Sequence, residues 1–560
     1  MLAEDLNQHL TFELANVISQ LEIPKDMQHG HLALPVFQLA RELKKPPSQI
    51  AVEIKDQLAG KMVYIHEINP VAGYVNFSFK PSVLYSSLAA QFKQHPNNVG
   101  YSDWGRGKTV AIDFSSPNIA KPMHVGHLRA TIIGKSLSNL AKSQGFKVLE
   151  INHIGDWGTQ FGKLAWSIEK WGHEYDLDTK PIDSLLKLYV RFHEEEKTNP
   201  ELSKAGAETF QKLESGDPKV TALWRKIIDL SYIEYQKLYD LLRIKHEFVI
   251  GESFYNDKLD EVENRLNAKN LLSESEGAKV VFFPESQKLP PCIVRKSDGA
   301  SIYATRDLAA AIYRHEQMHA DTLLYVVAQD QSLHFKQIFK VLEMMGYEWH
   351  RNCHHISFGL YRLKEGKMST RQGNLILFED VLNRAFELVK QILVEKSHVK
   401  ENSKDLIRKI AVGALLFNDL RTERSKDVEF DWDKILNMQG DSGPFLQYTT
   451  ARCHSLMKKA SRDSNFEFPS TLNDPSEINL AYTLLQFQDV LTNSYTNFKP
   501  NVLSQYLLEL AGAFGHFYHK VRIIGAEPDL MDSRLSLVKM TAIVFREGLE
   551  ILNIEVPESM

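Results

Sequence analysis

The chain has 560 residues, with 66 Lys or Arg against 71 Asp or Glu, so its formal net charge is -5. That length indicates about three domains, since a domain typically holds ~100–200 residues. The slightly acidic balance argues against a protein that simply coats nucleic acid, although a local basic surface stays possible. The three cysteines, Cys292, Cys353 and Cys453, form no C-x-x-C pair, so we expect neither a disulfide framework nor a structural zinc site.

The N-terminus and the hydropathy of the chain predict where the protein resides. The opening residues, MLAEDLNQHL, are acidic and lack the basic and apolar regions of a signal peptide. No stretch approaches ~18 uninterrupted apolar residues, so we expect no membrane span. Together with the sparse cysteines, these features predict a cytoplasmic protein.

The first zone, residues 1–98, reads as a small α+β domain. Helical patterns occur around Val36–Leu43 and Gln49–Leu58, and the strand-like GYVNFSF covers Gly73–Phe79. The polar stretch Lys93–Gly107 then has the composition of a linker.

The second zone, residues 99–395, alternates strand and helix signals. Short apolar runs at Thr109–Phe114, Lys147–Asn152 and Leu323–Ala328 are bounded by helical patterns, which predicts an α/β fold with a doubly wound parallel sheet. A mainly helical, highly charged segment over about 172–277 reads as a helical insertion.

The third zone, residues 396–560, is helical throughout. Two apolar stripes at helical spacing predict the core of an all-α bundle. Their members are Leu503, Leu507, Leu510, Ala511, Phe514 and Tyr518 in one stripe, and Leu537, Met540, Val544, Leu549 and Leu552 in the other.

The stretch SSPNIAKPMHVGHLRATIIG (Ser115–Gly134) lies where the first predicted strand meets a helix. Ligands of open α/β sheets bind beyond the carboxyl ends of the strands, and a helix N-terminus there attracts anions. His124 and His127 would share one face of the first turn, Gly126 would admit a ligand to the backbone, and Lys121 lies just upstream. The pattern therefore indicates phosphate binding, with two chance histidines or a zinc pair as the alternatives.

A second candidate, YRLKEGKMSTRQGN (Tyr361–Asn374), combines cations with glycines after the last strand signal. It reads as a mobile basic loop suited to a polyphosphate, and the alternative is a solvated charged loop. Its cations and glycines are Arg362, Lys364, Gly366, Lys367, Arg371 and Gly373.

These two features together resemble the HIGH and KMSKS signatures of class I aminoacyl-tRNA synthetases, as HVGH (His124–His127) and KMSTR (Lys367–Arg371). NHIGDWGTQFG (Asn152–Gly162), YATRDLAAA (Tyr303–Ala311) and GPFLQYTTAR (Gly443–Arg452) further resemble arginyl-tRNA synthetases, along essentially the whole chain. The resemblance implies a Rossmann-type catalytic domain with a helical insertion. It also implies an additional tRNA-binding domain before it and a helical anticodon-binding domain after it.

The same resemblance implies an enzyme, an arginine–tRNA ligase of protein biosynthesis. ATP activates L-arginine to arginyl-adenylate with release of pyrophosphate, and the arginyl group then passes to the 3′ end of tRNA(Arg). Mg²⁺ accompanies ATP, no structural metal is expected, and the family is usually monomeric. Several members need bound tRNA before they activate arginine, and we expect the same here.

The resemblance also assigns site residues. Residues expected to bind ATP are His124, Gly126, His127, Lys367, Met368 and Ser369, and the catalytic charges are expected from His124, His127, Lys367 and Lys121. Residues expected to bind arginine are Ser116, Pro117, Asn118, His127, Tyr303, Asp307 and Gln331. Tyr303 and Asp307, one helical turn apart, would face one cleft, where a carboxylate suits a guanidinium. An ordinary surface acid is the alternative for Asp307.

One departure from the class I signature concerns its second lysine, which Thr370 replaces here. Our hypothesis is that Lys121 supplies the missing charge, as an upstream lysine is thought to do in many arginyl enzymes. For tRNA, Tyr74 and Asn76 of the N-terminal domain and Tyr448 of the helical domain are candidate contacts, with plain strand or bundle-core residues as the alternatives.

Two rival functions compete with this reading. One is a different class I synthetase or a related nucleotidyltransferase, which would share HVGH without the Tyr303 and Asp307 pair. The other is a non-catalytic protein that only binds RNA, which would have lost the phosphate contacts.

Overall fold

The computed structural model describes residues 6, 8–10, 20–24, 29–96, 98–297, 302–363, 376–396, 404–460, 474–558 and 560. Within these residues the chain forms an α+β domain, a parallel α/β domain and a helical domain, in that order. No helix in the described part of the chain is long and apolar enough to span a bilayer.

The N-terminal domain packs helices against a three-stranded antiparallel sheet of order β1-β3-β2. Its elements are β1 (Leu32–Pro35), α1 (Phe37–Leu43), α2 (Pro47–Leu58), β2 (Ile65–Val71), β3 (Tyr74–Phe79) and α3 (Pro81–Gln94). Pro47 opens α2, where its missing N–H costs nothing. Ile50, Ile54 and Leu58 recur at helical spacing along α2 and are buried, as the sequence pattern predicts.

The central domain is built on a five-stranded parallel sheet of order β11-β10-β4-β5-β6. Its sheet strands and their connecting helices are β4 (Thr109–Asp113), α4 (Val125–Ser143), β5 (Lys147–Asn152), α5 (Thr159–Trp171), α6 (Pro181–Glu196), α7 (Glu201–Glu214), α8 (Pro218–Leu241), β6 (Phe248–Val249), α9 (Leu259–Ala268), α10 (Tyr303–Glu316), β10 (Thr322–Tyr325), α11 (Ser332–Met344) and β11 (Cys353–His355). From β4 the chain builds outward to β5 and β6, and it later places β10 and β11 on the other side of β4. The strand order therefore reverses between β4 and β10, where open α/β sheets bind their ligands.

Smaller elements complete this part of the chain. An antiparallel sheet of β7 (Leu272–Ser275), β8 (Ala278–Val281) and β9 (Cys292–Arg295) precedes α10. Short 3₁₀ helices occupy Gly172–Glu174, Glu252–Lys258, Glu285–Gln287, Gln329–Gln331 and Glu348–Asn352.

The predicted insertion at about 172–277 differs from the structure in its last part. Helices α6, α7 and α8 fill residues 181–241 as expected. Strand β6 then pairs with β5 in the main sheet, and β7 starts the small antiparallel sheet. Strand β6 covers only Phe248–Val249, which is too short to give a periodic apolar signal, so the sequence pattern does not predict it.

The helical domain surrounds a core of long amphipathic helices. Strand β12 (Tyr361–Leu363) and helix α12 (Phe378–Lys396) precede it, and its own elements are α13 (Lys404–Leu420), β13 (Val428–Phe430), α14 (Trp432–Ile435), α15 (Gly443–Ala460), α16 (Pro475–Leu485), α17 (Phe487–Thr496), α18 (Pro500–Lys520) and α19 (Pro528–Ile551). Both predicted stripes face inward except Tyr518, which is only partly buried. Strand β13 pairs in parallel with β12, so a short strand lies where only helices were expected.

The three domains make direct contacts. The Tyr482 hydroxyl of α16 donates a hydrogen bond to the carbonyl of His31 in the N-terminal domain, at 2.6 Å. Arg243, after α8, forms an ion pair with Glu550 of α19 at 3.0 Å. Buried side chains of α4 and of the helical domain belong to one continuous apolar cluster. Helix α4 is therefore packed directly against the helical domain.

Candidate active site

A cavity of about 1010 Å³ opens at the carboxyl ends of β4 and β10, where the strand order reverses. Eight of the residues predicted from the sequence line it together: Ser116, Asn118, His124, Gly126, His127, Tyr303, Asp307 and Gln331. These residues come from the loop after β4, the start of α4, the start of α10 and the segment after β10. Four separate stretches of sequence thus converge on one cavity.

His124 and His127 build the N-terminus of α4. Residue His124 precedes the first turn, and its Nδ1 accepts a hydrogen bond from the backbone N–H of Gly126 at 3.1 Å. In return, Nδ1 of His127 accepts from the backbone N–H of His124 at 3.2 Å. The two imidazoles therefore form a reciprocal capping box, a role usually filled by Ser or Thr with Glu or Gln.

This capping determines which protons the two imidazoles present. A neutral imidazole whose Nδ1 accepts a hydrogen bond carries its proton on Nε2. Burial lowers the pKa of both side chains, and burial together with the neighbouring His124 lowers the pKa of His127 to about 3. The rings lie 3.8 Å apart between centroids. The pair thus offers two neutral N–H donors beside the positive end of the α4 dipole, an arrangement suited to phosphate oxygens.

Gly126 is required by this arrangement. A Cβ at position 126 would lie 2.8 Å from Cε1 of His124 and would displace the capping ring. The glycine therefore protects the cap and leaves the backbone open to a ligand.

The loop between β4 and α4 has a constrained backbone. Ser115, Ser116 and Ala120 have φ values of 75°, 48° and 64°, a left-handed region that costs non-glycine residues energy. Helix α8 holds this loop through three side chains. The Tyr239 hydroxyl lies 2.7 Å from Ser115 Oγ, the Tyr235 hydroxyl donates to the carbonyl of Asn118 at 2.7 Å, and Ser231 Oγ accepts from the N–H of Ala120 at 3.0 Å.

A buried ion pair at the end of β4 also holds this loop. Arg314 of α10 lies 2.8 Å from Oδ2 of Asp113, and Asp113 Oδ1 accepts a hydrogen bond from Ser116 Oγ at 2.8 Å. Burial opposes ionisation of Asp113, but the charges of Arg314 and His153 and the hydrogen bonds outweigh it, so its pKa is lowered. The ionised carboxylate therefore fixes the Ser116 side chain in the cavity.

Asn118 lies close to the neighbouring loop after β5. The backbone N–H of Gly155 donates to the carbonyl of Pro117, and that of Ile119 donates to the carbonyl of Gly155, each at 3.1 Å. A Cβ at position 155 would lie 2.4 Å from Asn118 Oδ1. Gly155, from the NHIGDWG motif, therefore makes room for the Asn118 amide at the cavity.

Acidic side chains line the far side of the cavity. Asp307 lies 2.5 Å from Nε2 of His334, and Tyr303, one turn earlier on α10, is 65 % exposed. Glu252 also lines the cavity, and its Oε2 is buried without a hydrogen-bond partner among the described residues. Burial raises the pKa of Glu252 to about 7, with Arg306 opposing and Asp307 and Asp156 reinforcing the shift. These two carboxylates can accept several N–H donors from one cation.

Other predicted residues lie elsewhere. Pro117 is buried, and the exposed Lys121 is absent from the described lining of the cavity. Lys367, Met368, Ser369 and Thr370 lie outside the described residues.

The candidate tRNA contacts occupy two distant surfaces. Tyr74 is partly exposed and packs edge-on against Phe37, whereas Asn76 is buried and donates to the carbonyl of Asn69 at 3.2 Å. Tyr448 is 38 % exposed, with the guanidinium of Arg452 4.9 Å from its ring centroid. The exposed rings can contact a partner, but the buried Asn76 amide is already engaged within its sheet.

Three features of the site are not indicated by the sequence pattern. Glu252 follows the two-residue strand β6, and His334 lies within AQDQSLHF beside the predicted Gln331. The clamp on the left-handed loop comes from SYIEYQKLYD in α8, whose tyrosines read as ordinary helix residues. For Glu252, the sequence offers one hint of a site residue, namely a glutamate beside Gly251 just after the apolar residues Phe248–Ile250.

Three family models match successive parts of the chain. "Arginyl tRNA synthetase N terminal domain" matches residues 1–79, "tRNA synthetases class I (R), catalytic domain" matches 94–432, and "DALR anticodon binding domain" matches 446–560. The fold, the cavity and the central match define a class I tRNA synthetase.

Relatives identify the family. The arginine–tRNA ligase of Clostridium perfringens (strain 13 / Type A) is 42% identical and covers 100% of this chain and 99% of its own length. That of Exiguobacterium sp. (strain ATCC BAA-1283 / AT1b) is 42% identical, with 100% and 98% covered. The chain belongs to the arginyl-tRNA synthetase family, which confirms the resemblance and the fold class predicted from the sequence.

Solved structures share the fold. The arginyl-tRNA synthetase of Thermus thermophilus has a TM-score of 0.83 at 24% identity, covering 100% of this chain and 99% of that one. The arginyl-tRNA synthetase of Plasmodium falciparum has a TM-score of 0.83 at 25% identity, with 100% and 97% covered. The arrangement of domains is therefore shared with these structures.

Replacing His127 by Gln tests whether the His127 imidazole stays neutral in the folded protein. Gln can occupy the same capping position, so the cap should survive. Because unfolded histidine takes up a proton near pH 6.5 and folded His127 only near 3, wild type loses stability as the pH falls below 6.5. When the pH is lowered from 8 to 5, the free energy of unfolding should fall by ~2 kcal/mol less in H127Q than in wild type. Urea denaturation at both pH values measures this.

The control for this comparison is His66→Gln, at an exposed position on β2. That variant should keep the wild-type pH dependence. Equal pH dependence in H127Q and wild type would show that His127 does not stay neutral in the folded protein.

Proposed function

We propose that the cavity between β4 and β10 activates L-arginine with ATP and then transfers the arginyl group to the 3′ end of tRNA(Arg). The observation that carries this proposal is the pairing of two kinds of site in one cavity. Neutral N–H donors at the start of α4 suit phosphates, and the carboxylates of Asp307 and Glu252 suit a guanidinium. A cavity with both can bring the two substrates into contact.

The arginine side chain would lie against the acidic side of the cavity. A guanidinium has five N–H donors and a permanent charge. Asp307 and Glu252 supply the acceptors. Among the described residues, no donor forms a hydrogen bond with the buried Oε2 of Glu252, so this oxygen is free to accept one from the guanidinium. Tyr303 would cover the planar group, and Gln331 would contribute an amide. The cation would also favour the ionised form of Glu252, since opposite charges lower a carboxyl pKa.

The reacting carboxylate of arginine would lie near the loop after β4. Ser116, Pro117, Asn118 and His127 are the residues proposed for the α-amino and carboxylate groups. The hydrogen bonds from α8 and the Asp113–Arg314 pair hold this loop. Positioning of this kind can contribute several kcal/mol to catalysis when the reacting atoms are held ~3–3.5 Å apart.

Activation is a displacement at the α-phosphorus of ATP. A carboxylate oxygen of arginine forms the new P–O bond, and the bond to the bridging oxygen breaks, so pyrophosphate leaves with the electron pair. In transfer, a terminal ribose hydroxyl of tRNA attacks the acyl carbon, loses its proton and expels AMP. His124, Gly126 and His127, with Lys367, Met368 and Ser369, are proposed to stabilise the phosphate charge, as in other phosphoryl transfers.

The nucleotide is proposed to enter as its Mg²⁺ complex. In the described part of the chain, no group of three His, Cys, Asp or Glu side chains is arranged to hold a metal ion. The ion would therefore travel with its phosphate ligands, as Mg²⁺ commonly does.

Two outer surfaces are proposed for tRNA. The helical domain would bind the anticodon near Arg452, whose guanidinium carbon lies 4.9 Å from the ring centroid of Tyr448 and 5.3 Å from that of Tyr518. The N-terminal domain would contact the outer corner of the tRNA through Tyr74. Unstacked RNA bases are held on such aromatic and guanidinium faces.

The proposed domains are residues 1–98, 99–395 and 396–560. The protein is proposed to be a monomer in the cytoplasm.

ATP–pyrophosphate exchange tests the proposed function. Wild type, with tRNA(Arg) present, should exchange with arginine, and citrulline should support at least ~10³-fold less because its neutral urea leaves both carboxylates without a cation. Lysine should also be rejected, since it lacks the planar set of donors. Omitting tRNA should abolish the arginine signal. Exchange with another amino acid, or none with arginine in either condition, would contradict the proposal.

The pH dependence of arginine binding tests Glu252. Only its ionised form attracts the guanidinium, and its pKa lies at about 7. The KM for arginine should therefore rise as the pH falls from 8 to 6, while the KM for ATP changes little. In Glu252→Gln the arginine KM should be high, by ~10-fold or more, and independent of pH. An unchanged pH profile in E252Q would contradict this role.

Lys121→Ala tests the hypothesis that Lys121 replaces the cation lost at Thr370. Removing a preorganised charge donor should lower the rate of adenylate formation by ~10²–10³. Lys108→Ala, at another exposed lysine of the same domain, is the matched control and should retain the wild-type rate. Near-wild-type pyrophosphate exchange in K121A would remove the hypothesis.

A further inference from the structure

A buried charged cluster joins the cavity to the helical domain. Arg129 of α4 is 0 % exposed, and its Nε lies 3.4 Å from Oδ2 of Asp419 on α13, which is 1 % exposed. The Tyr361 hydroxyl donates a hydrogen bond to the same carboxylate oxygen. Both Arg129 and Tyr361 also line the cavity. Three elements from two domains thus meet at one ion pair.

Arg129 reaches the cavity wall as well as the helical domain. Its Nη1 donates to the carbonyl of Leu360 at 3.5 Å, and its Nη2 donates to the carbonyl of Arg424 at 3.2 Å. Its guanidinium carbon lies 5.8 Å from the ring centroid of Tyr361. One side chain on α4 therefore contacts the wall through a carbonyl and a ring, and the helical domain through Asp419 and Arg424.

The cavity wall, residues 359–361, is attached to the segment that follows α13. The backbone N–H of Gly359 donates to the carbonyl of Arg424 at 2.9 Å, and that of Leu360 donates to Asp427 Oδ1 at 2.8 Å. Val428 in turn donates to the carbonyl of Leu360 at 2.9 Å. The wall is thus tied by three hydrogen bonds to the segment 424–428.

We infer that Arg129, Tyr361 and Asp419 are positioning residues that align the cavity wall with the start of α4 and connect this alignment to the helical domain. The buried Arg129 guanidinium needs acceptors, and Asp419 and the carbonyls of Leu360 and Arg424 supply them only while α4 and α13 keep one relative placement. Small displacements of positioned groups have large effects on rate. A ligand that shifts or steadies α13 would therefore change the shape of the cavity.

The inference rests on the proposed function and specifies which substrate is affected. The cluster and the wall adjoin α4, whose N-terminus carries the proposed phosphate donors His124 and His127. None of the described hydrogen bonds joins the cluster to Asp307 or Glu252, on the arginine side. Loosening the cluster should therefore disturb the use of ATP and leave the binding of arginine intact.

Steady-state exchange on the full chain with tRNA(Arg) tests this division. Asp419→Asn replaces the carboxyl group by an amide, and Tyr361→Phe removes only the hydroxyl. In both variants kcat/KM for ATP should fall by about tenfold or more, with the KM for arginine within about twofold of wild type. Because they act through one cluster, the double variant should lose less than the product of the two single losses.

The matched control is Glu477→Gln. Glu477 of α16 is an acid of the helical domain, 1 % exposed, with Arg534 at 2.6 Å, but its partner lies on α19 away from the cavity. Its variant should change thermal stability without a selective change in kcat/KM for ATP. If D419N fails to fold, Y361F, which changes one hydroxyl, decides the question alone.

Three results would overturn the inference. The first is a kcat/KM for ATP in Y361F that equals the wild-type value. The second is a rise of the KM for ATP and the KM for arginine to the same extent in the folded variants. The third is a loss of kcat/KM for ATP in E477Q as large and as selective as that in D419N and Y361F. Absence of arginine-dependent exchange in wild type would overturn the proposed function and this inference together. Normal wild-type exchange with non-selective variants would overturn the inference alone.

Discussion

The site depends on a backbone that is held in an unfavourable conformation. Ser115, Ser116 and Ala120 adopt left-handed φ values between β4 and α4, which cost non-glycine residues of order 1–3 kcal/mol each. Hydrogen bonds from Ser231, Tyr235 and Tyr239 of α8 hold this loop against that cost. The loop places Ser116 and Asn118 in the cavity and leads directly into the start of α4, where the capping histidines lie. A helical segment remote in sequence thereby shapes both proposed ends of the site.

Charge is distributed so that the cavity can receive ligands of opposite sign. Arg314 keeps Asp113 ionised, but that carboxylate is used to hold Ser116. His124 and His127 contribute neutral donors, because burial lowers the pKa of each ring. Burial raises the pKa of Glu252 to about 7, which prepares it to gain a charge when a cation enters. The cavity is therefore electrostatically uneven, with donors at α4 and acceptors near α10.

The sequence could predict the parts of the site that depend on local pattern. The strand at Thr109–Asp113, the helix start at His124 and the shared face of Tyr303 and Asp307 follow from apolar runs, a glycine and helical spacing. The eight predicted residues that line the cavity follow from motifs, through the resemblance. Glu252, His334 and the tyrosines of α8 were not named, since their roles arise from tertiary packing. Asn76 shows the reverse case, because nothing in GYVNF marks its amide as buried.

The central claim is that one cavity holds arginine at the carboxylates and the nucleotide at the start of α4. A crystal structure of the full chain with a non-hydrolysable arginyl-adenylate analogue tests it most directly. We expect the guanidinium within hydrogen-bonding distance of Asp307 and Glu252, and the phosphate facing Nε2 of His124 and His127. An analogue bound in the opposite orientation, or outside the space between β4 and β10, would contradict the account.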